Sequence, residues 1–185
     1  MTVFLILVVA VALLAIVTYN RLVALRQNRK GAFADIDVQL KQRYDLIPNL
    51  VSTVKGYASH EKDLFEKVTQ MRAAAMNTGG SMADRAKAEG ALSGALMQLM
   101  AVAENYPDLK ANQNFLSLQS ELSDIENKIA AARRFFNNAT DEYNTAVQQF
   151  PAVLFAGSMG FKTEEFFDLG EERKQLSQAP NVNFQ

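Results

Sequence analysis

The chain has one histidine, His60, and no cysteine among its 185 residues. A multi-histidine metal centre is therefore excluded, and the paired Glu-x-x-His motifs of di-iron bundles have no basis. A serine nucleophile would have to use His60 as its base, and no Gly-x-Ser-x-Gly elbow is present. Gly79 and Gly80 lack the further glycines and the lysine of a phosphate-binding loop, so they read as a plain connector. The acid pairs Glu164-Glu165 and Glu171-Glu172 offer general acid and base groups, but neighbours on a helix point to different faces. Arg133 and Arg134, flanked by the core-type Ala132 and Phe136, read as a salt-bridged rim. No residue is expected to be catalytic, cofactor-binding or metal-ligating, and the expected protein is not an enzyme.

Absent cysteine also removes disulfides, thiolate sites and lipid-modified cysteine. With 19 basic against 20 acidic residues the net charge is -1, which argues against nucleic acid as a partner.

What remains is a set of structural and interaction candidates. Arg43 lies on an apolar helical stripe and needs a carboxylate partner, Glu126 being the first choice, unless its head snorkels to the surface. Pro48 withholds an amide and crowds the Tyr44 carbonyl. Asn49 and Tyr143 lie on or beside the same seams, while Phe166, Phe167 and Phe184 supply apolar surface near the C-terminus.

These residues must be held by helices. Residues 3–17 are all apolar, and with the flanking residues a helix would extend about 28 Å, close to a bilayer core. A cleaved signal would carry a basic leader and a small-residue cleavage site, and neither is evident, so a retained anchor is expected over residues 1–20. Membrane lipid is then a partner. Tyr19 suits the interface, and Arg21, Arg26, Arg29 and Lys30 follow it. All nearby positive charge lies C-terminal to the span, which predicts an outward N-terminus and a cytoplasmic domain.

Beyond the anchor, Phe33, Ile36, Leu40, Ile47, Leu50, Val54 and Tyr57 recur at helical spacing, so the helix is expected to continue through a kink at Pro48. Gly56 marks its end, with Ser59 as the cap of a helix running from Glu61 to about Met76. Residues 77–81 form the clearest loop, and an alanine- and methionine-rich helix follows to about Asn105. Pro107 sits in the first turn of the next element. From Phe115 to Phe150 apolar residues alternate spacings of three and four, predicting a long coiled-coil-like helix stopped by Pro151. Residues 152–161 read as an apolar loop packed on the bundle or touching membrane, and Thr163 as the cap of a short helix through Leu169. The last residues, with Val182 and Phe184, read as a frayed or docked extended tail.

The expected fold is thus all-α. A single transmembrane helix (1–20) continues into an elongated antiparallel bundle of three to four long helices (21–150), followed by a loop, short helix and tail (151–185).

Several blocks carry a family resemblance. They are Tyr19-Asn20 after the apolar run, DIDVQLKQRYDLIPNLVSTVKGY from Asp35 to Tyr57, His60-Glu61, ENYPDLKAN from Glu104, Phe115 with LQSELSDIENKIAAAR up to Arg133, Tyr143-Asn144 and Phe150-Pro151. In this order, across nearly the whole chain, they resemble the LemA family. The resemblance implies an antiparallel helical bundle behind an N-terminal membrane segment, located at the bacterial inner membrane, and it leaves the biochemical role open. Phe136-Asn137 stands where relatives tend to carry a second Tyr-Asn pair, so a hydroxyl hydrogen bond is lost there. Some relatives carry a lipid-modified cysteine that would export the bundle; this chain has none, and the cytoplasmic placement is kept first.

The functional expectation is a membrane-anchored scaffold that self-associates as a homo-oligomer into an envelope assembly. The alternative is an adaptor or regulatory subunit for another membrane protein, such as a protease, transporter or sensor.

Overall fold

A computed structural model of the chain describes residues 1–167, and these contain helices and no strand. The elements are α1 (Thr2–Lys55), α2 (Lys62–Met76), α3 (Met82–Ala103), the single turn α4 (Pro107–Lys110) and α5 (Gln113–Gln148), followed by a 3-10 turn at Ala152–Leu154. The expected all-α architecture, with a long apolar N-terminal helix and further helices packing together, is the one observed. The second acid pair Glu171-Glu172 and the tail residues Val182 and Phe184 lie outside the described residues.

Two compact units can be distinguished. In the first, Met1–Val38 and Ile129–Phe166, the apolar start of α1 carries no buried residue in its most hydrophobic window. Burial begins at Leu22, which packs with Tyr143, Ala146, Val147, Ala152, Ala156 and Phe161. Farther along, Phe33 meets Phe136 at a centroid distance of 5.6 Å, so within this unit α1 and α5 run antiparallel.

The second unit is Gln39–Lys128 together with Phe167. Here Ile36's successors on the α1 stripe, Leu40, Ile47, Leu50 and Val54, are buried, as are Phe65, Val68, Leu92, Leu96, Leu99, Leu109, Phe115, Leu122 and Ile125. The α2–α3 pair is an antiparallel hairpin, with Lys67 Nζ donating to Gln98 Oε1 at 2.8 Å. Its connection is the loop expected at 77–81. Ser81 closes a capping box in which its Oγ accepts from the Asp84 amide and the Asp84 carboxylate accepts from the Ser81 amide. Those bonds from Ser81 hold the Asp84 carboxyl below the usual carboxylate range.

Four expectations change. Ser59 is not a helix cap: α2 begins at Lys62, with Glu61 at the N-cap position and no side-chain cap. Tyr57 is exposed, and Ala58 takes the buried position, because α1 ends at Lys55 and the stripe's period lapses with it. The Tyr57 hydroxyl accepts from Asn112 Nδ2 instead. Phe150, placed at the end of the α5 seam, is 77% exposed, since α5 stops at Gln148. Residues 161–167 have no helical turn, so the helix expected from Thr163 does not begin there. The backbone of Glu164 is committed instead to the Asn144 side chain, which donates to its carbonyl at 2.9 Å and accepts from its amide at 2.8 Å.

Candidate functional site

The second unit contains a buried ionic cluster built on α1. Arg43 and Tyr44 are consecutive, so their side chains leave the helix about 100° apart and flank one position on a neighbouring helix. That position is Glu89 of α3, fully buried, which accepts from Arg43 through one oxygen and from the Tyr44 hydroxyl through the other. The expected Arg43–Glu126 pair is also present: Nη1 reaches Glu126 Oε1 on α5 at 2.8 Å and Ser93 Oγ at 3.0 Å. Arg43 is wholly buried and does not snorkel. A guanidinium in this position needs paired carboxylates, because an isolated buried charge is several kcal/mol less stable than a solvated one. Burial, then the bond to Glu89 and its negative charge, raise the Tyr44 pKa well above the usual tyrosine value. Tyr44 therefore stays a neutral donor. Both Glu89 oxygens are occupied by donors, so Glu89 is committed to the cluster, which ties α1, α3 and α5 together.

Pro48 lies inside α1. Its missing amide leaves the Tyr44 carbonyl without its intrahelical donor. Arg72 of α2 fills the vacancy, its Nε donating to the Tyr44 carbonyl at 2.7 Å. Tyr44 is thus bonded to α3 through its hydroxyl and to α2 through its backbone. Asn49 is exposed beside an open groove of about 380 Å³ that also touches Gln42, Asp45, Glu121, Asp124 and Lys128.

In the first unit the corresponding organiser is Arg29. Its Nε donates to Thr140 Oγ1 at 3.0 Å and its Nη2 to the Glu165 carbonyl at 2.9 Å, while Nη1 lies 3.3 Å from Glu164 Oε2. Its guanidinium also covers the Phe136 ring at 4.8 Å. Tyr143 is buried next to this site. Burial, then the Glu164 charge, push its hydroxyl pKa up. The Tyr143-Asn144 pair therefore divides its work, one side chain entering the core and the other clamping the Glu164 backbone. Phe166 is partly exposed and Phe167 is buried, which separates two residues expected to act together as apolar surface.

Sequence reasoning missed Glu89, Arg72 and the clamping role of Arg29. Glu89 had a readable signal, lying three residues from both Ala86 and Leu92 on the buried stripe of α3. Arg29 was legible only as a topology charge, and nothing in its spacing identified Glu164 as a partner. Among the described residues no group of three or more His, Asp or Glu side chains is placed to hold a metal ion.

Comparison with known proteins adds a family model, described as LemA family, that matches residues 32–184. The chain is 25% identical over 174 residues to Magnetosome protein MamQ of Magnetospirillum gryphiswaldense, covering 80% of this chain and 64% of that protein. Against Magnetosome protein MamQ 2 of Paramagnetospirillum magneticum it is 25% identical, covering 86% and 68%. Against Protein LemA of Metamycoplasma hominis it is 24% identical, covering 82% and 69%. The chain thus spans slightly less than two thirds of the first of these relatives.

Proposed function

This chain belongs to the LemA family, and from that premise we propose that it is a membrane-anchored, non-enzymatic protein that self-associates into an oligomeric assembly at the bacterial inner membrane. The observation that carries this reading is α1. Its first turns are apolar and unburied, and from Leu22 onward the same helix supplies core residues, so the apolar run leads into the packed chain without a linker. Self-association would draw on apolar side chains left on the outside, among them Val38 and Leu116. The MamQ relatives are named as magnetosome proteins.

The test is electron microscopy and light scattering of the full-length protein in mild detergent, beside a version lacking residues 1–20. Regular particles of many subunits from the full-length chain are expected. A strict monomer at every concentration overturns the scaffold reading.

The partly exposed Phe166 favours the adaptor as a second reading. In that case crosslinking in cells recovers a stoichiometric non-self membrane protein, and Phe166→Ser releases it. Phe167 is unsuitable for this test because it is buried.

A further inference from the structure

The segment that follows α5 carries an apolar surface that an anchored scaffold does not by itself require. From Tyr143 to Phe161 the sequence contains no charged residue. Its inward side chains, Ala152, Ala156 and Phe161, join the core around Leu22, but Phe150, Val153, Leu154 and Met159 point away from it. Phe150 is 77% and Leu154 71% exposed. So much apolar surface at one tip, without a charge, is unusual for a surface facing water.

Its position along α1 decides what covers it. A cavity of about 220 Å³ lies within the first unit, lined on one side by Leu14, Val17, Thr18 and Arg21 and on the other by Gln149, Phe150 and Pro151. Leu14 and Val17 belong to the apolar run that ends at Val17. The tip therefore reaches about one turn past the polar boundary of α1, to the level of residues that would lie in hydrocarbon.

Backbone groups at that depth must be bonded within the protein. Several are: Val153 donates to the Gln149 carbonyl, Leu154 to Pro151, Phe155 and Ala156 to Ala152, Met159 to Phe155, Gly160 to Gly157 and Phe161 to Ala156. At the level of the boundary, Tyr19 stands edge-on to Phe161 at 5.5 Å, and Arg26 covers the same ring at 5.0 Å. Tyr19 itself is 44% exposed at the end of the apolar run, where an interfacial aromatic belongs.

We propose that residues 150–159 form a second, non-spanning membrane element, immersed in the leaflet from which α1 emerges, with an acyl chain of that leaflet occupying the cavity against Leu14 and Val17. This rests on the reading of α1 as a membrane anchor. The depth corresponds to an interfacial element seated about 5–10 Å below the headgroups.

The absence of native cysteine makes a direct test available. Full-length Val9→Cys, Val153→Cys, Leu154→Cys and Phe135→Cys variants are labelled with a nitrobenzoxadiazole probe and reconstituted into phosphatidylcholine vesicles whose chains are brominated near the carboxyl end or near the methyl end. All four positions are solvent-exposed, so the labels leave the core intact. Phe135 lies on α5 about 22 Å from Phe150 and serves as the water-facing reference. The expected result is that probes at 153 and 154 are quenched several-fold more than the probe at 135, and more by the shallow bromine than by the deep one. Quenching at 153 and 154 no greater than at 135, with Val9 strongly quenched, overturns the immersed tip and leaves the anchor standing. An unquenched Val9 overturns the anchor, and the tip with it.

Discussion

Arg43 is buried against Glu89 for charge, Glu126 as a second carboxylate and Ser93 as a further acceptor, while its Nε–H has no acceptor among the described residues. Removing Glu89 leaves the buried Arg43 with the partly exposed Glu126 as its carboxylate and takes the acceptor from the Tyr44 hydroxyl. Glu89→Ala is expected to destabilise the protein by about 3–5 kcal/mol, whereas replacing Arg43 and Glu89 together by Met and Leu is expected to change stability far less. Urea unfolding of the two variants separates these outcomes, and equal losses would show that the charge pair is not the source of the effect. Tyr44 allows a test by pH. Its folded pKa is raised, so its contribution is complete below the unfolded value of about 10 and is lost as the pH climbs toward the folded value. An alkaline absorbance titration is expected to show a late-ionising hydroxyl among the five tyrosines that Tyr44→Phe removes.

The same tyrosine links residues to elements. Pro48 orphans the Tyr44 carbonyl and Arg72 supplies the substitute donor, so a proline is accommodated inside a 54-residue helix by a side chain from α2. Arg72→Met is expected to cost about 1–3 kcal/mol with Pro48 in place, the penalty of an unsatisfied buried carbonyl. In a Pro48→Ala background the restored amide bonds that carbonyl, and the cost of Arg72→Met should shrink; purely additive effects in the double-mutant cycle would refute the coupling. At the start of α3, Ser81→Ala is expected to cost about 1 kcal/mol. The Asp84 carboxyl is depressed by the same box, so its contribution holds above the ordinary carboxylate pKa and disappears as pH falls below it. Carboxyl NMR titration should place Asp84 below the ordinary aspartate value of about 3.9, and Ser81→Ala should raise it. Helix periods were legible in the sequence because apolar side chains recur every three or four residues. The Ser59 and Thr163 caps failed because a capping residue type does not oblige the backbone to start a helix beside it: α2 starts at Lys62, and the Glu164 backbone is held by Asn144.

For the whole molecule, the basic residues after the span predict a cytoplasmic domain. Met97 is 72% exposed and can carry a unique thiol in a chain without cysteine. In intact spheroplasts Met97→Cys is expected to resist a membrane-impermeant maleimide and to react after lysis; labelling of intact cells would place the domain on the outer side.

Composition and periodicity were enough to determine that the chain is helical, that its first stretch is apolar enough to span a bilayer, and that with no cysteine and one histidine it forms no thiolate site or multi-histidine metal centre. These properties depend on residue type and local spacing alone. The partners of Arg43, the rescue of the Tyr44 carbonyl by Arg72, and the meeting of Arg29 with Glu164 were decided only by tertiary structure. Each joins residues tens of positions or more apart, and local spacing carries no information on which carboxylate or donor will face a given side chain once the helices pack.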